Sequence, residues 1–237
     1  MRRRTAGFTA LGSTCAAFIA LVATGIAASQ PDRSGLADRE AVLSPATRAV
    51  GSRTVVAPSE RYARVVWRNA RSVGRPNAGT LVNGTKLPAE GQHFVTWDPK
   101  RHRTLSPMWR RYATDGLIRV LLRVADDFAR AHPDAPRLTI GDLSRRRGGR
   151  FGGNLHASHQ NGLDADIYYP RRDRRERAPL SVRAIEMRLA QDLVDRFVRA
   201  GAEYVFVGPR TPLTGPRGVV QPLRHHDNHL HVRLRAG

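Results

Sequence analysis

Two short stretches of this sequence concentrate side chains that commonly bind metals. Six of the nine histidines lie within positions 156–159 and 225–231. The first stretch, HASHQNGLDAD, continues into two aspartates, Asp164 and Asp166. Imidazole nitrogens and carboxylate oxygens are ligands that zinc prefers in proteins. The clustering therefore predicts a metal site assembled from two distant parts of the chain.

Alternation within two predicted strands indicates how these groups meet. In HLHVRL, polar and apolar residues alternate, so His229 and His231 share one face of a strand. In LDADI, Asp164 and Asp166 share a face in the same way. Two neighbouring strands of this kind present imidazoles and carboxylates to one cleft, above an apolar floor.

The ligand number favours a catalytic metal over a structural one. Gly162 can supply the turn that brings His159 back toward Asp166. Two histidines and one carboxylate leave a coordination position open, as in catalytic zinc sites. Non-haem iron oxygenases use the same ligand set. However, they usually place the first histidine and the carboxylate about two residues apart, whereas His159 and Asp166 are seven apart. Zinc is the metal predicted.

The amino-acid composition limits the classes of binding partner and of cysteine chemistry that this protein can have. The formal net charge is +20, with arginine supplying nearly all of the excess. Such a balance suggests a polyanionic partner. The single cysteine, Cys15, lies in an apolar N-terminal run, so cysteine nucleophiles and cysteine-ligated zinc are excluded for the rest of the chain.

The N-terminal part predicts export. Residues 1–29 comprise a basic leader, an uncharged run of 21 residues and small residues before a polar segment, as in a secretory signal peptide. The run is also long enough for an N-terminal anchor, the only membrane contact expected. Residues 30–60, rich in Pro, Ser, Ala and Arg, predict a flexible linker. The folded domain, 61–237, is expected in the periplasm or cell-wall space, where anionic wall polymers are better partners than nucleic acid.

Periodicity in this domain predicts an α+β fold in which a small antiparallel sheet is flanked by helices. Apolar spacing indicates a helix that follows Ser106-Pro107 and ends before His132-Pro133. A second helix is expected from Ser181 to Gly201. A turn is expected at Asn83-Gly84. Strands are expected in the segments 64–67, 79–88, 93–97, 138–143, 163–169, 203–207 and 228–235.

The histidine stretches also carry a family resemblance. SHQNGLDAD (158–166) and HDNHLHVR (226–233) resemble the penicillin-insensitive murein endopeptidases, within the wider group of lysostaphin-type and D-Ala-D-Ala zinc peptidases. The likeness extends from Ser72 through GTLVNGTKLP (79–88) and IGD (140–142) to the end of the chain. It implies that 61–237 is a zinc peptidase domain that cleaves peptide cross-links of peptidoglycan.

The resemblance also implies residue roles. The zinc ligands would be His159, Asp166 and His231. His229 would be the general base that activates the attacking water, and His226 would lie near the substrate oxyanion.

Two further residues are assigned to the site but not to the metal. A fourth protein ligand would fill the open coordination position, so His156 is placed beside the metal. Asp164 is expected to accept a hydrogen bond from a ligating histidine, or only to cap a turn.

Alternative functions remain open from the sequence. D-Ala-D-Ala carboxypeptidases place a glutamate shortly before the final histidine, where this chain has Asp227-Asn228-His229-Leu230, so the endopeptidase is favoured. A non-catalytic cell-wall binding module would keep the fold without turnover. A nucleic-acid-binding protein would explain the charge, but the export signal argues against it. The cross-link type is also left open: the bond could join D-Ala to diaminopimelate or two diaminopimelates.

Overall fold

The computed structural model describes residues 64–151 and 156–236. The predicted signal peptide or anchor (1–29) and the linker (30–60) lie outside the described residues. Within them the strands are β1 Arg71–Arg75, β2 Ala78–Val82, β3 Thr85–Lys86, β4 Phe94–Asp98, β5 Arg103–Thr104, β6 Tyr112–Ala113, β7 Leu138–Ile140, β8 Asp164–Tyr168, β9 Ala202–Val207, β10 Val220–Pro222 and β11 His229–Leu234. The helices are α1 Asp115–Ala131 and α2 Met187–Arg199.

The main sheet is larger than expected and mixed in direction. It has seven strands in the order β10-β9-β11-β8-β7-β4-β5. β10 runs parallel to β9, and β4 runs parallel to β7, so the prediction of a small antiparallel sheet was wrong. Parallel neighbours need a crossover connection, and the chain between β4 and β7 contains α1. Alternation within a strand carries no information about the direction of its neighbour.

Both helices occur, but their first residues differ from those expected. Ser106-Pro107 precedes only a short 3₁₀ turn, Met108–Arg110. The cap of α1 is Thr114, whose hydroxyl accepts a hydrogen bond from the Leu117 amide. Ser181 similarly precedes a 3₁₀ turn, and α2 begins only at Met187. The predicted ends, before His132-Pro133 and at Gly201, are confirmed to within two residues.

The expected strand at 64–67 is absent, and β1 begins only at Arg71. The turn at Asn83-Gly84 is confirmed, with Asn83 at a positive φ of 54°. No helix within the described ranges is both long and apolar enough to span a membrane.

The core explains why the polar face of two central strands is available for a site. α1 and α2 pack their apolar faces with the apolar side chains of the sheet. Ala165 and Ile167 of β8, and Leu230 and Val232 of β11, are all fully buried in this core. Because side chains alternate along a strand, the residues between them face the other side of the sheet.

Candidate metal centre

The register of β8 and β11 brings the predicted groups together. The two strands are antiparallel neighbours, and His231 lies directly opposite Asp166. The Nδ1 atom of His231 is 3.1 Å from Oδ1 of Asp166. The expectation that neighbouring strands present imidazoles and carboxylates to one place is confirmed.

His159 reaches the same point from the loop before β8. Both His159 (φ 66°) and Gly162 (φ 80°) adopt left-handed backbone conformations that reverse the chain. A Cβ on Gly162 would lie 2.6 Å from the end of the Leu81 side chain and 3.1 Å from the Thr114 amide nitrogen, and the positive φ would strain any other residue, so glycine is strongly favoured here. The turn places Nε2 of His159 at 3.2 Å from Oδ1 of Asp166.

The hydrogen bonds of the two histidines leave lone pairs directed at Asp166. Nδ1 of His159 lies 2.7 Å from the Leu143 carbonyl, which can only accept, so the proton is on Nδ1 and Nε2 is bare. Nε2 of His231 donates to the Asp164 carboxylate at 2.9 Å, so in the neutral ring, the form that binds metal, Nδ1 is bare. Among the described residues, the buried atoms Nε2 of His159 and Oδ1 of Asp166 have no hydrogen-bond partner. Lone pairs that face one another in a buried site call for a cation between them.

The donor spacing fits a metal. Bonds of about 2.0–2.1 Å in tetrahedral zinc hold neighbouring donor atoms roughly 3.3 Å apart. The two nitrogen–oxygen separations here are 3.2 and 3.1 Å. The two pairs that include Asp166 therefore match a divalent metal in both chemistry and spacing.

Asp164 forms hydrogen bonds with residues of this centre on the side away from Asp166. Its carboxylate accepts hydrogen bonds from Nε2 of His231 at 2.9 Å, Nε of Arg233 at 2.7 Å and the His159 amide at 3.0 Å. Carboxylates that bind the far nitrogen of a ligating histidine orient the ring and raise its basicity. The contact expected for Asp164 is present.

His156 is closer to the centre than the sequence suggested. Ligand atoms of His156, His159 and Asp166 all lie within 4.8 Å of one another, so among the described residues these three side chains form the possible metal-binding group, of which His231 is not a member. Nε2 of His156 contacts Asp142 at 2.8 Å, while its Nδ1 is 3.9 Å from Oδ2 of Asp166. The sequence placed His156 beside the metal, whereas the geometry makes it a potential ligand.

Behind His156 lies an ion pair that sequence reasoning missed. Arg110 and Asp142 form a buried bidentate pair through Nε and Nη2. Asp142 follows directly after β7, and its only sequence signal was its place in the motif IGD. The pair fixes the carboxylate that His156 contacts.

His229 and His226 line the open side of the centre. Nδ1 of His229 donates to the Asn228 side-chain oxygen at 2.7 Å, which leaves Nε2 as an acceptor, 3.7 Å from Oδ1 of Asp166. The rings of His226 and His229 are 4.7 Å apart, and those of His226 and His231 are 5.7 Å apart. Nδ1 of His226 donates to the Arg224 carbonyl at 2.7 Å.

Charges in the metal-free protein follow from these contacts. Burial opposes ionisation of Asp164 and Asp166, but the surrounding histidines outweigh it and hold the pKa of both carboxyls below the ordinary value. Burial alone would lower the pKa of His231, yet its contacts with Asp164 and Asp166 raise it to about 9, so without a metal this ring holds a second proton near pH 7, which a metal would displace. Burial dominates at His229 and lowers its pKa to about 4, so this ring is neutral near pH 7.

An aromatic wall borders the centre, and the sequence did not predict it. The ring of Phe151 lies 5.0 Å from that of His156 and 6.0 Å from that of His159. Trp109 packs against Phe151 at 5.6 Å and keeps 42% of its surface exposed. An exposed indole near these histidines offers an apolar surface beside the centre.

Comparison with known proteins identifies the family. The family model described as penicillin-insensitive murein endopeptidase matches residues 72–203, more than half of the chain. The chain belongs to this family. The match includes His156, His159 and the aspartates of β8, and it ends before β11.

Curated members of the penicillin-insensitive murein endopeptidase family are similar to this chain at low identity. The protein of that name from Escherichia coli O17:K52:H18 (strain UMN026 / ExPEC) is 26% identical over 131 residues, 55% of this chain and 44% of the relative. The one from strain SE11 is 28% identical over the same shares. The one from O157:H7 (strain EC4115 / EHEC) is 25% identical over 205 residues, 76% of this chain and 71% of the relative. The chain thus spans under half the length of the first relatives it matches.

Proposed function

We propose that this family member is an exported zinc endopeptidase that hydrolyses amide bonds in the peptide cross-links of peptidoglycan. The observation that carries the proposal is the convergence of ring nitrogens from His159 and His231 on a buried oxygen of Asp166 that has no hydrogen-bond partner among the described residues. The name of the family and of its curated members supports the substrate. Such a substrate places the protein in the periplasm or cell-wall space.

The proposed zinc ligands are His159, Asp166 and His231, with His156 positioned to join them. Zinc bound by such a set would polarise a carbonyl group and lower the pKa of a coordinated water to roughly 7. Neutral histidines and an ionised carboxylate are the forms that bind metal. Asp164 keeps His231 in the tautomer that directs Nδ1 to the centre.

His229 is the proposed general base. Its Nε2 atom is bare because Nδ1 donates to Asn228. Nε2 can therefore take a proton as water adds to the carbonyl carbon of the scissile amide. The same atom returns that proton to the amide nitrogen as the C–N bond breaks. General acid–base help of this kind contributes about 10²–10⁴-fold in rate.

His226 is proposed to stabilise the oxyanion, under one condition. Its Nδ1 proton is held by the Arg224 carbonyl, so a neutral ring presents only an acceptor on Nε2. Burial also lowers the pKa of His226. The ring can donate to an oxyanion only as an imidazolium, so this contribution requires negative charge at the centre during the reaction.

Digestion of purified cross-linked muropeptide dimers tests the proposal. The metal-free protein, the zinc-loaded protein and the zinc-loaded His229→Ala variant are compared by chromatography and mass spectrometry. Zinc should permit conversion of dimers to monomers, and His229→Ala should slow it by at least 100-fold. The exposed neighbour His225→Ala serves as a matched control and should retain activity.

The products separate the competing functions. Release of D-Ala without loss of dimers would indicate a carboxypeptidase. Retention on isolated cell walls without any product would indicate a binding module. Dimers joined through D-Ala–diaminopimelate and through two diaminopimelates, digested in parallel, identify which bond is cut.

A further inference from the structure

A second charged feature of the domain uses none of the candidate metal ligands. Residues 64–89 contain five cationic side chains and no acidic one, and residues 143–163 contain four arginines and no acidic residue. A random mixture of the charges in this chain would place several carboxylates in these segments. Positive charge is therefore concentrated in two stretches of the domain.

The fold joins these two stretches into one surface. The Leu81 amide of β2 donates to the Arg147 carbonyl at 3.0 Å, and Thr80 pairs with Gly148 in an isolated bridge. Gln160 donates from its backbone to the Pro76 carbonyl at 3.0 Å. Charges that are separated in sequence are thereby brought to the same side of the protein.

A cavity of about 330 Å³ opens on this surface. Four cations line it, namely Arg64, Arg68, Lys86 and Arg146, together with the ring of Tyr112. All four cations are exposed. In the part of the chain that the structure describes, none of them lies within 4.0 Å of a carboxylate (salt-bridged arginines occur elsewhere, as at Arg137 with Glu176). We call this feature the basic cavity.

Uncompensated cations around one concave site attract an anion of more than a single charge. One carboxylate is satisfied by one arginine fork, so four cations exceed what a free carboxylate needs. Phosphate oxygens accept hydrogen bonds from arginine forks and from lysine as a point charge. A phosphodiester chain supplies repeated charges that can engage several cations at once.

We propose that the basic cavity binds phosphodiester groups of an anionic polymer of the cell envelope. Arg68, Lys86 and Arg146 would supply the ionic contacts. The Tyr112 hydroxyl offers a further donor. The proposal does not depend on hydrolase activity, because it uses none of the candidate metal ligands.

The basic cavity is coupled to the metal centre through the backbone. Tyr112 exchanges two backbone hydrogen bonds with Ser144, of 3.1 and 2.8 Å. The Ser144 hydroxyl in turn donates to the carbonyl of His159. A polymer held in the cavity would therefore lie next to the loop that carries a proposed ligand, which would keep the enzyme on the wall close to its substrate.

Binding of soluble poly(glycerol phosphate) to the full chain, measured by isothermal titration calorimetry at several salt concentrations, tests the proposal. The variant R68Q/K86Q/R146Q removes three cations of the cavity. The matched control R183Q/R199Q/R217Q removes three exposed arginines that form no ion pair among the described residues. Vesicles of phosphatidylcholine with and without phosphatidylglycerol form a second arm, because that lipid headgroup is also a phosphodiester.

The cavity variant should bind the polymer at least tenfold more weakly and with a shallower dependence on salt, since fewer counterions are released. The control should change by less than twofold, and both variants should unfold at the wild-type temperature. Binding to phosphatidylglycerol vesicles but not to the polymer, lost in the cavity variant, would overturn the polymer as the ligand and assign the phosphodiester to a lipid. Equal loss in the cavity variant and the control, or no binding in either arm, would overturn the proposal.

Discussion

Replacing Asp164 by asparagine tests whether its hydrogen bonds hold His231 and the His159 loop in position at the metal centre. The wild-type carboxylate accepts two hydrogen bonds on Oδ1, from His231 and Arg233, and one on Oδ2, from the His159 amide. An asparagine has one acceptor oxygen. In the more favourable orientation of the asparagine side chain, its oxygen accepts from His231 and Arg233. Its NH₂ group then faces the His159 N–H, which is also a donor. At least one buried donor then loses its acceptor.

The expected loss of stability and of metal affinity can be estimated from these hydrogen bonds. An unsatisfied buried donor costs about 1–3 kcal/mol, and the bonds from His231 and Arg233 lose the ionised acceptor that strengthens them. We expect Asp164→Asn to lower the unfolding free energy of the metal-free protein by about 2–4 kcal/mol. Loss of the carboxylate behind a ligating histidine typically weakens metal affinity 10–100-fold, which corresponds to about 1.4–2.7 kcal/mol.

Two measurements check these values. Zinc affinity is obtained by competition with a chromophoric chelator at pH 7.5, and stability is obtained by urea unfolding without metal. Asp127→Asn, the same chemical change on the exposed surface of α1, is the matched control and should alter neither. If Asp164→Asn is destabilised but binds zinc as tightly as wild type, Asp164 does not orient a ligand and the reasoning is refuted.

Three further predictions concern groups around the centre. Arg110→Met should leave the buried Asp142 carboxylate without its arginine partner and lower the free energy of unfolding, measured in urea, by about 3–5 kcal/mol. A loss below about 1 kcal/mol would show that this ion pair is not needed for stability. Trp109→Ala should raise the muropeptide concentration needed for half-maximal rate while zinc affinity stays unchanged, because the indole is exposed and packs on Phe151 and Arg110; weaker zinc binding would contradict this role. The hydrogen bond from Arg137 lowers the pKa of Glu176 below 4.5, so the pair stabilises the fold above that pH and its contribution disappears as the pH falls through the lowered pKa. Glu176→Gln should therefore cost up to about 1 kcal/mol at pH 6 and almost nothing at pH 2, as measured by urea unfolding; an equal cost at both pH values would exclude an ionic contribution.

Much of the candidate site could be predicted from local sequence. Alternation along β8 and β11 is a property of the extended backbone, so the shared face of Asp164 and Asp166, and of His229 and His231, could be deduced before any pairing was known. The turn at Gly162 could also be deduced, because glycine is the residue that best tolerates a left-handed conformation.

Other features depended on which parts of the chain become neighbours. The register that places His231 opposite Asp166 depends on how two strands about 60 residues apart in sequence align. The pair of Arg110 and Asp142, which sets the position of His156, joins a 3₁₀ turn to the end of β7. Neither residue has a local pattern that marks it as buried.

The sequence by itself thus determined the chemical types of the ligands and the faces on which they lie, because both follow from residue identity and backbone geometry. Only the tertiary structure decided the mixed direction of the sheet, the ring nitrogens that remain bare and the joining of two basic segments around one cavity. These depend on contacts between distant residues, whose free energy is gained only when the whole domain is assembled.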